Sequence, residues 1–240
     1  MQAEGLILAG GQSTRMGGRH KGSLTYRDET FTHHLVRELK RGVSCVRLSY
    51  GHEVKDEGIE CPVVMDIYPG CGPIGGIYAG LRACESEWML AAACDMPLMK
   101  IEMYCCLMDM LGRKGEEISA YDGAVPVTGS RIHPLAAVYR VRKPVNKRAA
   151  MLTEHMMSRQ VEIQADAGSE YPMNRPDMAD ILEEQIQRGN YRIRDALNRL
   201  NILYVDVTGN KGFEQMLRNI NTIEEYRQLE ILAKACSLKQ

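Results

Sequence analysis

The sequence predicts an α/β fold, a Rossmann-like doubly wound and mostly parallel sheet in three α/β/α layers. Two observations carry this expectation. Over the first 140 residues, short apolar runs alternate with stretches whose apolar residues recur at helical spacing, which is the pattern of successive strand–helix–strand units. Within that alternation, Trp88–Ala93 is almost wholly apolar, as a central strand covered by helices on both faces must be.

The elements follow in order. Gly5–Ala9 reads as the first buried strand. Thr30–Lys40 sets Phe31, Leu35, Val36 and Leu39 on one face of an amphipathic helix. Cys45–Ser49 and Pro62–Met65 are short strands, and Ile74–Cys84 is a helix with Ile77, Tyr78 and Leu81 on one side. After the Trp88–Ala93 strand come a helix at Ile101–Leu111 and strands at Gly123–Val127 and Leu135–Arg140. Arg140–Met157 is basic and methionine-rich, and 158–176 carry turn formers including Gly168, Pro172, Asn174 and Pro176. The stretch 141–176 is therefore read as a loop or insertion within one domain spanning 1–240. Asp177 is placed to cap a helix running to about Arg188, with Ile181, Leu182 and Ile186 inward. A helix at Ile193–Leu200, a strand at Ile202–Val207 and a helix at Ile223–Ala235, with Tyr226, Leu229, Leu232 and Ala233 on its apolar face, complete the chain.

Composition narrows the function. With 30 basic and 31 acidic residues the net charge is -1, which argues against a general nucleic-acid binder. No run reaches the apolar length of a membrane span, and the first residues lack the core of a signal peptide. The eight cysteines show no C-x-x-C spacing, the pattern of reduced, packed thiols in a cytoplasmic protein. Metal-binding histidine spacing of the H-E-x-x-H type is likewise lacking.

The chemistry is expected where strands end. Loops follow the first strand (Gly10–Lys21), the third (Asp66–Gly76) and the Trp88 strand (Asp95–Pro97). In an open α/β sheet, ligands bind outside the carboxyl ends of the strands, so all three loops would open onto one edge. The first loop is glycine-rich and carries Arg15 and Lys21, a combination suited to a nucleotide triphosphate, because glycine lets backbone N–H groups approach an anion and the cations supply charge. It is not a Walker A motif, since Gly22 follows Lys21; the plainer reading is a surface turn. The second loop contains Gly70-Cys71-Gly72-Pro73-Ile74-Gly75 with Asp95 further on, which mimics a dinucleotide fingerprint. Pro73 would remove an N–H from such a cradle, so Gly75 and Gly76 are better read as bringing a helix N-terminus against a ligand. In the third loop, the Asp95 carboxylate ends a buried strand; one carboxylate plus phosphates suffices to hold Mg²⁺, which keeps several waters. The plainer reading of Asp95 is an N-cap for the Ile101 helix. His133 is read as a satisfied turn histidine rather than a ligand contact, and no histidine base lies near Cys71 or Cys94 in sequence to make either a nucleophile.

Taken together, Leu8-Ala9-Gly10-Gly11-x-Ser13-x-Arg15-Met16-Gly17-Gly18-x-x-Lys21-Gly22-x-Leu24 closely resembles the signature of the molybdenum cofactor guanylyltransferases, within the wider superfamily of sugar-phosphate nucleotidylyltransferases. Gly72-Pro73-Ile74-x-Gly76-Ile77, Cys94-Asp95-Met96-Pro97, His133–Arg140 and the closing Asn219-Ile220-Asn221-Thr222 with Glu224 and Glu225 agree with it in order. The resemblance implies a single nucleotidyltransferase domain that moves GMP from GTP to the terminal phosphate of molybdopterin and releases pyrophosphate. It implies that the backbone of Leu8, Ala9 and Gly10 holds the guanine nucleotide, with Gly11 completing the Gly-Gly pair that favours guanine over cytosine. It further implies that Lys21 neutralises the phosphates, Arg15 orients them, Asp66 contacts the nucleotide and Asp95 binds Mg²⁺. Molybdenum insertion proteins or molybdoenzyme chaperones would be the onward partners. Three departures bear on the acceptor: His20 stands where the family often has Asp, Ser49 where it has a nucleotide-contacting Asn, and the 140–177 region is longer than usual. The competing readings are a cytidylyltransferase on the same cofactor, a sugar-phosphate nucleotidylyltransferase, and a non-catalytic nucleotide-binding accessory protein.

Overall fold

A computed structural model describes residues 2–10, 22, 24–51, 58–113, 120–142 and 176–237. In chain order its elements are β1 (Ala3–Leu8), β2 (Thr25–Tyr26), β3 (Glu29–Thr30), α1 (Phe31–Leu39), β4 (Cys45–Ser49), β5 (Val63–Val64), α2 (Pro73–Ala83), β6 (Trp88–Ala93), α3 (Ile101–Arg113), β7 (Gly123–Thr128), β8 (Arg131–Ile132), β9 (Val138–Arg140), α4 (Met178–Gln187), α5 (Ile193–Leu197), β10 (Ile202–Asp206), α6 (Lys211–Met216) and α7 (Ile223–Ser237). Of the expected loop or insertion at 141–176, residues 143–175 lie outside the described residues, as does the first loop from Gly11 to Lys21.

The main sheet runs β10-β7-β9-β6-β1-β4-β5, with β8 pairing β7 at the side. β1 is central and parallel to both β4 and β6, in registers Leu8↔Ser49 and Leu8↔Ala93. β9 is the inverted strand, antiparallel to β6 and to β7. The sheet is therefore mixed but mostly parallel, as expected. Alternation along the strands explains the layers. Ile7, Trp88 and Leu90 face one way, into a core with Leu35 of α1 and Tyr104 and Leu107 of α3. Leu6, Leu8, Met89 and Ala91 face the other, into a core with Ile77 of α2 and Ile181 and Leu182 of α4. Local signals set the helix starts: the Thr30 hydroxyl accepts from the His33 N–H, and Asp177 accepts from the Asp180 N–H at 2.7 Å as its sequence position predicts.

Two boundaries differ from expectation by three residues, the others by no more than two, and the larger shifts have a physical reason. The strand expected at Leu135–Arg140 begins only at Val138, because the Ala136 N–H turns back to the His133 carbonyl; Leu135–Ala137 are apolar because they pack, not because they are extended. The helix from Ile193 ends at Leu197 rather than Leu200, closing in a turn in which the Arg199 and Leu200 N–H groups bond the Ala196 and Leu197 carbonyls.

At the amino end of the sheet, one buried carboxylate ties three segments together. Glu4 accepts from Arg47 Nε at 2.7 Å and from the Glu85 and Ser86 N–H groups at 2.9 and 3.1 Å. Burial works to raise its pKa, but the Arg47 hydrogen bond and charge and the two backbone donors hold it below the ordinary glutamate value. A depressed folded-state pKa gives stability that is present above the unfolded pKa and lost as pH falls through the folded one. Arg47→Met should therefore lower the unfolding free energy by about 2 kcal/mol at pH 7, since it strips one charged partner from a buried carboxylate. The deficit should shrink as pH falls below the ordinary glutamate value and through the depressed one, where Glu4 protonates in both proteins. Urea unfolding across a descending pH series checks both statements.

Candidate functional site

Because β1, β4, β5 and β6 run parallel, their carboxyl ends open onto one edge, and the three loops singled out in the sequence leave from it. The edge is built outward from Leu8–Gly10. The Ala9 and Gly10 N–H groups both donate to the Ser49 carbonyl, at 2.8 and 2.9 Å, and the Cys94 N–H donates to the Leu8 carbonyl at 3.2 Å. Asp95 thus lies one residue beyond a bond to β1 on one side. On the other side, the Asp66 N–H donates to the Gly51 carbonyl at 2.8 Å, which draws the end of β5 towards the turn after β4. Two half-buried aspartates flank the exit of the central strand.

These bonds change the reading of the first loop. The N–H groups of Ala9 and Gly10 point into the sheet, towards Ser49, so they do not belong to an anion cradle. A nucleotide contact at Leu8–Gly10 would therefore not use the Ala9 and Gly10 N–H groups. Gly10 itself is required by packing: a Cβ there would lie 2.8 Å from the Tyr50 carbonyl carbon and 3.0 Å from the Gly51 nitrogen.

The Gly75–Gly76 pair is buried where the first turn of α2 packs against Asp66, while Gly72 and Pro73 at its head are exposed. A Cβ on Gly75 would sit 3.1 Å from Asp66 Oδ2, and one on Gly76 would sit 2.6 Å from Leu8 Cδ2 and 2.8 Å from Ser49 Oγ. The two glycines let the positive end of α2 approach the Asp66 carboxylate, which that end stabilises. Ser49, at the position of the family's Asn, turns its hydroxyl towards Asp66 Oδ1 at 3.5 Å. The sequence Gly70–Gly75 forms no dinucleotide cradle, since Pro73 already opens α2.

Asp95 is not a helix cap, because α3 starts only at Ile101. His133 is the satisfied histidine expected: it is buried, its Nε2 lies 2.7 Å from Thr128 Oγ1, and burial together with Arg131 pushes its pKa down. Cys71 and Cys94 are buried and outside any disulfide among the described residues. Met96, Met99 and Met103 are core residues.

The donor chemistry at this edge suits a hard cation. Asp66 and Asp95 offer carboxylate oxygens, the donor type Mg²⁺ takes alongside substrate phosphates and water. Among the described residues, no helix is long and apolar enough to cross a membrane.

A mixed, mostly parallel sheet of this order with helices on both faces places the chain among the Rossmann-like α/β folds. Residues 5–164 match the MobA-like NTP transferase domain, and the chain belongs to that family. It is 33% identical over 135 residues to the "Probable molybdenum cofactor guanylyltransferase" of Clostridium perfringens, covering 56% of this chain and 64% of that relative. To the Bacillus cereus protein of the same name it is 30% identical over 143 residues, covering 58% and 68%. The match thus spans a little under two thirds of the Clostridium relative's length. The fold is similar to that of molybdopterin-guanine dinucleotide biosynthesis protein A from Archaeoglobus fulgidus, with a TM-score of 0.67, 22% identity and coverage of 97% and 99% of the two chains. It is also similar to 2-C-methyl-D-erythritol 4-phosphate cytidylyltransferase from Thermus thermophilus, with a TM-score of 0.52, 12% identity and coverage of 98% and 100%. At these identities the likeness is one of fold.

Proposed function

We propose that this domain is a molybdenum cofactor guanylyltransferase, moving GMP from GTP to the terminal phosphate of molybdopterin. The observation that carries the reading is the placement of Asp66 and Asp95 on either side of the Leu8–Gly10 strand exit, in a chain of the MobA-like family. In the reaction, an acceptor phosphate oxygen forms a bond to the α-phosphorus of GTP as the bond to the β-phosphate oxygen breaks, and pyrophosphate leaves. The acceptor phosphate, with a second pKa of about 6, is largely ionised at neutral pH, so no strong base is needed. The protein's task is to position two anions and offset their charge. Asp95, with Asp66 across the edge, would hold Mg²⁺, and bound Mg²⁺ supplies charge neutralisation to the phosphates. Arg15 and Lys21 meet the triphosphate from the first loop. Gly10-Gly11 favours guanine, and the product passes to molybdenum insertion proteins or molybdoenzyme chaperones in the cytoplasm.

Incubation with Mg²⁺, molybdopterin and each NTP in turn, followed by pyrophosphate measurement, tests the proposal. Release with GTP alone supports it. Release with CTP indicates a cytidylyltransferase, release that needs a hexose phosphate indicates a sugar-phosphate nucleotidylyltransferase, and no release with any NTP indicates an accessory protein. Lys21→Ala should lower kcat/KM for GTP by about tenfold, the loss expected for one charged hydrogen-bonding contact, measured in the same assay.

A further inference from the structure

We infer that the C-terminal segment Asn219–Tyr226 is a clasp that positions the transfer site, with Glu225 as its positioning residue; the inference rests on the nucleotidyl-transfer reading above. The clasp starts from a capping box at the head of α7. The Thr222 hydroxyl accepts from the Glu225 N–H at 3.2 Å, and Glu225 Oε2 accepts from the Thr222 N–H at 3.0 Å. The same oxygen also accepts from the Asn221 N–H at 2.7 Å, one residue further upstream than a capping box requires. These backbone donors, the Asn221 N–H foremost, hold the carboxyl below the usual glutamate range.

That additional bond fixes the orientation of the residue before it. The Ile220 N–H donates to the Asp95 carbonyl at 2.7 Å, so the capping box is joined through two residues to the turn that carries the Asp95 carboxylate. The Ile220 side chain, 1% exposed, is buried with Leu24, Phe31 and Leu229, and Leu98 packs against them. Leu24 lies just past the cationic loop and Leu98 just past Asp95. The Tyr226 hydroxyl completes the tie by donating to the Thr25 carbonyl at 3.0 Å. A single C-terminal unit therefore grips the exit of the triphosphate loop and the turn that bears the metal carboxylate. Displacing catalytic groups by about 1 Å costs on the order of a hundredfold in rate, so a clasp that sets their separation acts on kcat more than on nucleotide KM.

Amide hydrogen exchange of the full chain, together with steady-state pyrophosphate release, tests this in Glu225→Ala and Glu225→Gln. The glutamine variant keeps one carbonyl oxygen able to accept both N–H groups; the alanine variant keeps none. E225A should speed exchange by about tenfold in peptides covering 219–222 and 94–99, with β4 unchanged. It should lower kcat by about 10- to 100-fold with KM for GTP within about threefold, and E225Q should restore kcat to within about threefold of the parent. Faster exchange confined to 219–226, a KM effect without a kcat effect, or E225Q as impaired as E225A would overturn the clasp. If E225A fails to fold, Glu225→Asp, whose shorter arm cannot reach both donors, is held to the same criteria. If the parent protein releases no pyrophosphate with any NTP, the transfer reading fails, and the exchange pattern alone decides whether the clasp exists.

Discussion

Asp95→Ala should abolish turnover, lowering kcat by about a thousandfold, as loss of a principal electrostatic group does, while leaving the fold intact. The fold should survive because the backbone bonds that join this turn to the sheet and to Ile220 do not depend on the side chain. The Asp95 carbonyl accepts the Ile220 N–H, the neighbouring Cys94 N–H reaches Leu8, and both groups persist in alanine. The side chain is half-buried at the rim of the sheet, and the hydrophobic core continues around it through Cys94, Met96 and Met99. What alanine removes is the carboxylate that would hold Mg²⁺, and with it the counter-charge for two phosphates brought together. Asp95→Asn, similar in shape but uncharged, should be nearly as inactive, which separates charge from packing. EDTA added to the parent protein should reproduce the loss, and Mg²⁺ should restore it. Pyrophosphate release with far-UV circular dichroism measures both arms; activity within tenfold of the parent in either variant, or after EDTA, would remove Asp95 from the metal site.

Which parts of this architecture could be read from residues alone follows the size of the apolar signal. Cys45–Ser49 and Trp88–Ala93 are strands with the boundaries expected, because their apolar runs are compact and their backbones fully extended. The convergence of the loops also follows from sequence, since parallel strands joined by helices must end on the same edge. Elements of two residues carry no periodicity. The β2–β3 hairpin turns through Arg27 and Asp28, both at positive φ, without the Asn-Gly or Asp-Gly pair that would announce it. α6 is six residues long with no fully buried residue, and only Phe213 and Met216 pack against the core, too short a stretch for periodicity to mark it. The inversion of β9 is likewise silent, because a strand's side chains read the same in either direction. At the site, the aspartates are visible as carboxylates at strand ends. That the Ala9 and Gly10 N–H groups turn inward, and that the Gly75–Gly76 helix start packs against Asp66, depends on a pairing partner distant in the chain in one case and on close packing in the other, which no local pattern encodes. The tie from Ile220 to Asp95 is longer still, although its anchor, Thr222-x-x-Glu225, is legible as a capping box.

Gly10→Ala should lower GTP-dependent pyrophosphate release by about 30- to 100-fold without creating a CTP-dependent activity, the scale of a forced shift in tightly packed structure. In the resemblance, Gly-Gly at positions 10 and 11 goes with guanine and Ala-Gly with cytosine, so a naive swap would be expected to change the base. The packing argues otherwise. A Cβ at position 10 would meet the Tyr50 carbonyl carbon at 2.8 Å, its oxygen at 2.9 Å and the Gly51 nitrogen at 3.0 Å, and all three are backbone atoms that no rotamer change can move. The methyl group is accommodated only if the Tyr50–Gly51 turn shifts away, and that turn carries the bond from the Asp66 N–H. The change at residue 10 therefore propagates to Asp66, while the Ser49 carbonyl that binds the Ala9 and Gly10 N–H groups pulls against it. On this packing, base choice would be a joint property of the strand exit and the turn after β4. Steady-state assays with GTP and CTP check the first outcome, and urea unfolding should show an accompanying loss of about 1–3 kcal/mol. A stable Gly10→Ala variant that exchanged GTP for CTP activity would show instead that residue 10 selects the base by direct contact, with the turn as a bystander.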